Sequence, residues 1–395
     1  METRLVNLKK GQTEILVSLK PDIKEMKEVV VTGYGNVRKT SFTGNSVTVT
    51  KDELMSVSKS NVIKALQTFD PSFRIQTNND WGSDPNALPE MYVRGRSGIS
   101  GVKELDRDPL TKSALKDNPN LPTFIMDGFQ ISVEQLYDMD PNRIESITIL
   151  KDAAATALYG SRAANGVVVI TTKRGRAMDK AHVTLRTQWG ISQLAKGEWN
   201  LMNTAERIQF EKEVGLDSGQ DYDLLSKTDV NWRDMVFNDN AMLQNYDLSI
   251  SRATEKLNYF VSGSFYDQDG IAQGSIFSRY SIRANAEVKA SNWLKVGTNS
   301  MVAYEEVEQA DAGSYSLSSP ISACRFMLPY WNPYNSDGSL ATNANGGWTG
   351  TTVNPIEWMD NNPVTNKKYK VLSVLFAEVT PIENLTYRIQ FGADF

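Results

Sequence analysis

Leu257 to Val288, LNYFVSGSFYDQDGIAQGSIFSRYSIRANAEV, alternates apolar and polar residues on either side of one turn-rich interruption. Leu257, Tyr259, Val261 and Phe265 face away from Asn258, Ser262 and Ser264. Beyond the interruption Tyr280, Ile282, Ala284, Ala286 and Val288 face away from Ser281, Arg283, Asn285 and Glu287. Successive side chains of a strand point to opposite faces, so each half predicts a strand with one apolar side.

The pattern extends both ways. Val183, Leu185 and Trp189 oppose Thr184, Arg186 and Gln188; Tyr246, Leu248 and Ile250 oppose Asp247, Ser249 and Ser251. Leu294, Val296, Val302 and Tyr304 are looser. Val371, Leu375 and Val379 are weak because Leu372, Val374 and Phe376 are apolar too. Leu385, Tyr387, Ile389, Phe391 and Phe395 against Thr386, Arg388, Gln390 and Asp394 complete seven predicted strands. The connections alternate: long over Ile191–Asn245 and Glu305–Lys368, medium over Gln268–Arg279, short at Ala253–Lys256, Ala290–Asn292 and Thr380–Asn384. Short turns on one rim and long loops on the other is how outer-membrane barrels are built. A soluble β-sandwich would alternate in the same way, but it seldom carries long structureless loops at one end only. Seven antiparallel strands do not close a barrel, and the seventh ends at Phe395, so a longer barrel chain is expected.

Upstream the pattern changes near Met178. From about Lys39 to Arg176 the reading is mixed α and β: helical spacing over Lys51–Leu66, and strands in PEMYVRG, LPTFIMDG and RIESITILK. Asp152 suits the N-cap of a short helix over Ala153–Tyr159, Gly160 a left-handed stop, and VVVITT after Gly166 a returning strand. Arg4–Lys20 reads as two short strands around Lys10–Gln12, the last hairpin of a small β-domain. Pro21 and a charged linker then lead into Val29–Thr32 and Gly33-Tyr34-Gly35.

Composition narrows the function. In 395 residues, 42 Lys and Arg stand against 47 Asp and Glu, a net charge of −5, with no basic block to track a phosphate backbone, so no nucleic-acid partner is expected. One cysteine, Cys324, and one histidine, His182, leave no disulfide framework or multi-histidine metal site; no metal, cofactor or catalytic residue is expected. No run of about 18 apolar residues predicts a spanning helix, but a barrel alternates, so a mean hydropathy of −0.39 is compatible with a membrane. The first residues show no secretory signal. GYGNVRKT at Gly33–Thr40 lacks the glycine before the lysine of a phosphate loop. Asp267, Asp269 and Gly270 lack the remaining ligands of a calcium loop. Asp127-Gly128 reads as a turn.

Leu150–Gly175, LKDAAATALYGSRAANGVVVITTKRG, resembles the plug signature of SusC-like TonB-dependent transporters, carried here by Lys151, Asp152, Ala153, Ala154, Tyr159, Gly160, Arg162, Asn165 and Gly166. YVRGRSG at Tyr92–Gly98, FIMDGFQI at Phe124–Ile131 and NVIKALQTFDPSFRIQ at Asn61–Gln76 fit the same plug, although DPSF stands where such plugs usually have a glycine-rich stretch. Glu28, Val29, Val30, Val31 and Thr32 resemble a TonB box, a β-branched run able to add to a partner's sheet edge. The resemblance implies four parts: residues 1–20 a remnant of a carboxypeptidase-regulatory-like β-domain, 21–38 a linker with the TonB box, 39–178 the plug, and 179–395 the first strands of a transmembrane barrel of about 22 strands. The fold class is thus a mixed α/β plug followed by antiparallel barrel strands. It further implies energy-coupled import of an oligosaccharide or peptide across the bacterial outer membrane, with TonB, a SusD-like surface lipoprotein and outer-membrane lipid as partners. Trp81, Trp331 and Trp348, in loops, are candidates for stacking on a sugar, as are Tyr334 and Trp358. The rivals are a siderophore or cobalamin receptor and a periplasmic β-sandwich enzyme acting on carbohydrate, which would need paired carboxylates that the sequence does not supply.

Overall fold

A computed structural model describes residues 29–31, 36–38, 45–57, 62–71, 73–76, 90–93, 121–137, 139–151, 159–160, 163–175, 177, 180–195, 200–216, 219–309, 320–383 and 385–395. The predicted hairpin over Arg4–Lys20 lies outside these residues.

Strand β1 (Val29–Val31) pairs antiparallel with β2 (Asn36–Arg38), so the expected linker contains a short hairpin. The N-terminal unit follows as β3 (Ser46–Thr50), α1 (Lys51–Val57), α2 (Val62–Phe69), β4 (Phe73–Gln76), β5 (Glu90–Val93), β6 (Thr123–Met126), β7 (Phe129–Ile131), α3 (Val133–Tyr137), a 3-10 turn (Pro141–Arg143), β8 (Ile144–Leu150) and β9 (Val167–Thr172). Glu53 returns its carboxylate to the Thr50 amide at 2.7 Å, half of a capping box that starts α1. Val62, Ala65, Leu66 and Phe69 place α2's apolar stripe at i, i+3, i+4 and i+7. The main sheet runs β3-β8-β9-β6-β7, parallel only between β6 and β9. Its inner strands TFIM, IESITIL and VVVITT carry apolar runs because both faces are covered. Leu54, Leu66, Leu136, Ile147, Ile149, Val168 and Ile170 form the core.

The second unit is a seven-stranded antiparallel meander: β10 (His182–Ser192), β11 (Ala241–Ala253), β12 (Leu257–Asp269), β13 (Ile276–Lys289), β14 (Leu294–Gln309), β15 (Val364–Ile382) and β16 (Leu385–Asp394). All seven expected strands are present. The sheet is open, and with strands of 10 to 19 residues each is long enough to cross a bilayer at a tilt. Its two faces invert the usual rule for a water-soluble sheet. Leu185 is 66 % exposed and Ile282 65 %, whereas Arg283 is 2 % and Asn285 4 % exposed on the opposite side. Polar residues point inward against the N-terminal unit and apolar ones outward, and among the described residues no second sheet lies over them. Even the outward hydroxyls of Thr298, Ser300 and Ser373 bond one another, at 2.8 and 2.9 Å. No helix among the described residues is long and apolar enough to cross a membrane.

The outward face carries a row of rings. Tyr246, Phe265, Tyr280, Tyr304 and Tyr369 stand directly opposite one another across β11 to β15. Their neighbouring centroids lie 6.3, 4.9, 6.3 and 5.1 Å apart, and Trp189 on β10 continues the row at 6.1 Å from Tyr246. The row marks the long-loop side of the band. From Tyr280 to Val288 the strand runs about 27 Å, or about 20 Å along a membrane normal at the usual ~40° tilt.

The long connections are not structureless, contrary to the sequence expectation. Residues 193–240 contain α4 (Thr204–Glu213), α5 (Tyr222–Leu225) and α6 (Trp232–Val236); residues 310–363 contain α7 (Pro320–Phe326) and α8 (Pro355–Asn361). Ile208, Trp232, Val236, Ala323, Met327, Tyr330, Ile356 and Met359 bury a shared core. Glu211 ties the two connections, accepting from Arg207 at 2.7 Å and from the Tyr330 hydroxyl at 2.9 Å. Cys324 lies in this core, where burial pushes its thiol up to about 12.

Candidate functional site

The joint between the N-terminal unit and the inner face of the wall concentrates the buried polar groups. Its centre is the β6–β7 turn. Asp127 (φ 50°) and Gly128 (φ 89°) both adopt positive φ, as a two-residue type I′ hairpin turn demands and as Asp-Gly supplies. The turn aims the Asp127 carboxylate at β9 and the wall. It accepts from the Thr172 amide at 3.0 Å, from the Thr172 hydroxyl, and from Arg283 Nη2 at 3.2 Å. Both side chains of the ion pair are 2 % exposed. Arg283 also donates from Nε to Asn285 Oδ1 at 3.2 Å, and Asn285 Nδ2 reaches Thr172 Oγ1 and the Lys173 carbonyl, each at 2.9 Å. A charge pair buried to this degree is stable only when its remaining groups find partners, as here.

The second contact is the Pro141–Arg143 turn, capped by Asp140, which accepts from the Asn142 amide at 2.8 Å. Arg143 Nη2 donates to Ser264 Oγ at 2.8 Å on β12, and Arg186 of β10 donates to Asn142 Oδ1 at 2.5 Å. Burial pushes the Arg143 guanidinium below its ordinary value, against the opposing pull of Asp140. The third contact is on β16, where Gln390 donates to the Gly128 carbonyl at 2.6 Å and Gln135 donates to Asp394. Met301 of β14 and Leu372 of β15 join the unit's apolar core. This explains the weak alternation of the sixth strand: Leu372, Val374 and Phe376 are buried on the inner face. Along the short-turn rim a chain of ion pairs runs Arg174–Glu287–Lys295–Glu378–Arg388, with separations of 3.4, 3.5, 2.8 and 2.9 Å.

The signature residues within the described set hold the unit together. Lys151 pairs with buried Asp70 at 2.7 Å. Tyr159 packs against the apolar cluster that contains Ile125, Leu150 and Val169; Gly160 (φ 65°) and Gly166 (φ 90°) take left-handed turns; Asn165 donates to the Leu121 carbonyl. Gly175, where the signature ends, passes so close to the Arg252 carbonyl that a Cβ would clash with it. Asp152, Ala153, Ala154 and Arg162, Trp81, and Glu28 and Thr32 lie outside the described residues. Trp331 and Trp348 do not stand open for stacking on a sugar: both are buried in the loop core, with ring centroids 5.9 Å apart. Asp267 and Asp269 lie on β12, in a ladder rather than a loop. Among the described residues no cluster has the makings of a metal site. Sequence reading took Asp127 for a turn residue and missed its ionic role; its one signal was Asp-Gly between two apolar runs.

Residues 38–167 match the TonB-dependent receptor plug domain. Over 386 residues the chain is 27% identical to TonB-dependent receptor P3 of Formosa agariphila, covering 97% of this chain and 35% of that protein. Over 338 residues it is 28% identical to TonB-dependent receptor SusC of Bacteroides thetaiotaomicron, covering 83% and 31%. Among solved structures, the RagAB peptide importer in its open-open state aligns with a TM-score of 0.78 and 27% identity, over 93% of this chain and 42% of that one. The chain spans about a third of the length of these curated relatives.

Proposed function

We propose, for a chain that carries a TonB-dependent receptor plug domain and matches the N-terminal portion of SusC-like receptors, that the whole protein imports a nutrient across the bacterial outer membrane. The observation that carries this reading is a plug held by buried polar groups against a wall whose outward face is apolar, banded and ringed. Such a wall suits lipid outside, and such a plug suits a passage that opens only when driven. The residues at Glu28–Thr32 would engage TonB by strand addition, and the cargo would be an oligosaccharide or a peptide. The folded connections on the long-loop rim would face outward, where a SusD-like lipoprotein would cover the barrel. Transport, with no catalytic step, is the activity assigned. A siderophore receptor is less well supported: the ferripyoverdine receptor aligns at 11% identity with a TM-score of 0.51, a likeness of fold alone.

Deleting Glu28–Thr32 from the full-length protein is expected to abolish uptake while leaving membrane insertion intact, measured by growth on the cargo and by heat-modifiable migration. Unchanged uptake would remove the TonB-box assignment.

A further inference from the structure

Strand β16 meets the N-terminal unit at three successive inward positions, Gln390, Gly392 and Asp394, while the alternate residues Ile389 and Phe391 point outward. Each position makes a different contact. Gln390 donates to the Gly128 carbonyl in the β6–β7 turn at 2.6 Å. Asp394 accepts from Gln135 of α3. Between them the Phe129 ring of β7 lies against the main chain of Gly392, in the space that a Cβ there would need: Phe129 Cζ would stand 2.8 Å from it, and two other ring carbons closer still. Glycine weakens the interior of a strand, and where it occurs it often marks a close approach of this kind. The plug side is fixed as well. Ser132 and Gln135 form a capping box at the start of α3, with the Gln135 amide donating to Ser132 Oγ at 3.2 Å and the Ser132 amide to Gln135 Oε1 at 3.1 Å. The box holds the side-chain oxygen of Gln135 and turns its Nε2 group toward Asp394.

These contacts belong to one level of the wall. Arg283 of β13, Met301 of β14, Leu372 of β15 and Asp394 of β16 stand directly opposite one another from strand to strand. All four engage the plug: Arg283 pairs with Asp127 at 3.2 Å, Met301 and Leu372 join the apolar core, and Asp394 takes Gln135. Phe129 packs against that same core, so its ring carries the apolar contact onto β16. Gly392 stands in the next inward row, opposite Val374. Met301, Leu372 and Val374 are buried. Side chains packed at interior density leave no room for a file of water between hairpin and wall.

We propose that Gly392 is the seat of the plug's β6–β7 hairpin, and that the Phe129 ring resting on it closes the passage between the plug and this part of the wall against passive leakage. The inference rests on the reading of the N-terminal unit as a plug. Gly392 and Phe129 are positioning residues, which set how closely the hairpin approaches the wall. The Asp127–Arg283 pair ties the hairpin at β13, so the gap at β16 is set by the fit of ring and strand. A side chain at position 392 must lift the ring, and the hairpin with it, away from the wall.

The test uses the full-length protein in planar lipid bilayers, with no TonB, cargo or partner protein present, and reads the steady current. The wild type is expected to be silent. Gly392→Leu is expected to give a steady leak, because its Cβ takes the place of the ring. Ala393→Leu, which adds the bulk to the outward side of the same strand, is expected to stay silent. Phe129→Ala alone should leak through the gap that the ring leaves. Combined with Gly392→Leu it should restore silence, since the leucine fills roughly the space that the ring vacates. A merely structural role predicts the reverse, because truncating a packed ring adds a second destabilisation. Heat-modifiable migration checks that each variant is folded; should Gly392→Leu fail to insert, a silent Phe129→Ala overturns the seat by itself. Silence of either folded single variant, or a double variant that leaks as much as Gly392→Leu, overturns the seat and leaves the transport reading standing. A conducting wild type overturns the plug reading, and the seat with it.

Discussion

Asp127 combines two constraints in one side chain: a main-chain conformation that few residues accept and a charge buried opposite Arg283. Asparagine tolerates the same left-handed backbone, so Asp127→Asn removes the charge and keeps the turn. It is expected to cost about 3–5 kcal/mol, because Arg283 is left buried without its counter-charge. The double variant with Arg283→Met should recover much of that loss, and a double-mutant cycle of denaturant midpoints checks it. If the single and double variants unfold alike, the pair does not hold the joint. The sequence showed half of this arrangement. Arg283 was visible on the polar side of its strand and Asp127 in its turn, but they are 156 residues apart, and nothing local says that the two faces meet.

At the scale of the element, alternation was the legible quantity, and it placed all seven wall strands. It also assigned the faces correctly, because an apolar set every second residue must share one side. What it could not supply was register. The rings at Tyr246, Phe265, Tyr280, Tyr304 and Tyr369 form a row only once each strand is aligned with the next. The loop helices were missed for a related reason: α4 and α8 are short, and their apolar residues are buried against each other across 100 residues and more of chain. The band makes a depth-dependent prediction. Ala284→Arg, midway between Tyr280 and Val288, should destabilise folding into lipid vesicles by about 2–4 kcal/mol. Gln244→Arg, beyond the ring row, should cost about 0–1 kcal/mol. Equal costs at the two depths would mean that the outward face does not meet hydrocarbon.

Across the whole molecule the plug is fastened unevenly. Among the described residues strand β3 is an edge strand, paired only with β8. The hydrogen bonds and ion pairs described above to the wall come instead from residues between Asp127 and Arg174. A pull applied at residue 28 therefore reaches β3 and α1 before it reaches the anchored strands. Single-molecule pulling from that residue in lipid is expected to release the chain through α1 first and the β8–β9 pair later; release in one step would show that the joint does not divide the plug. The alternation of the wall has a last consequence, for transit. Apart from four-residue runs such as residues 374–377 of β15 and 301–304 of β14, polar residues interrupt these strands throughout, so the unpaired chain offers a surrounding aqueous compartment no long greasy run. The oily belt comes into being when neighbours zip together in register, which makes the protein compatible with water on its journey and with hydrocarbon on arrival through one and the same pattern.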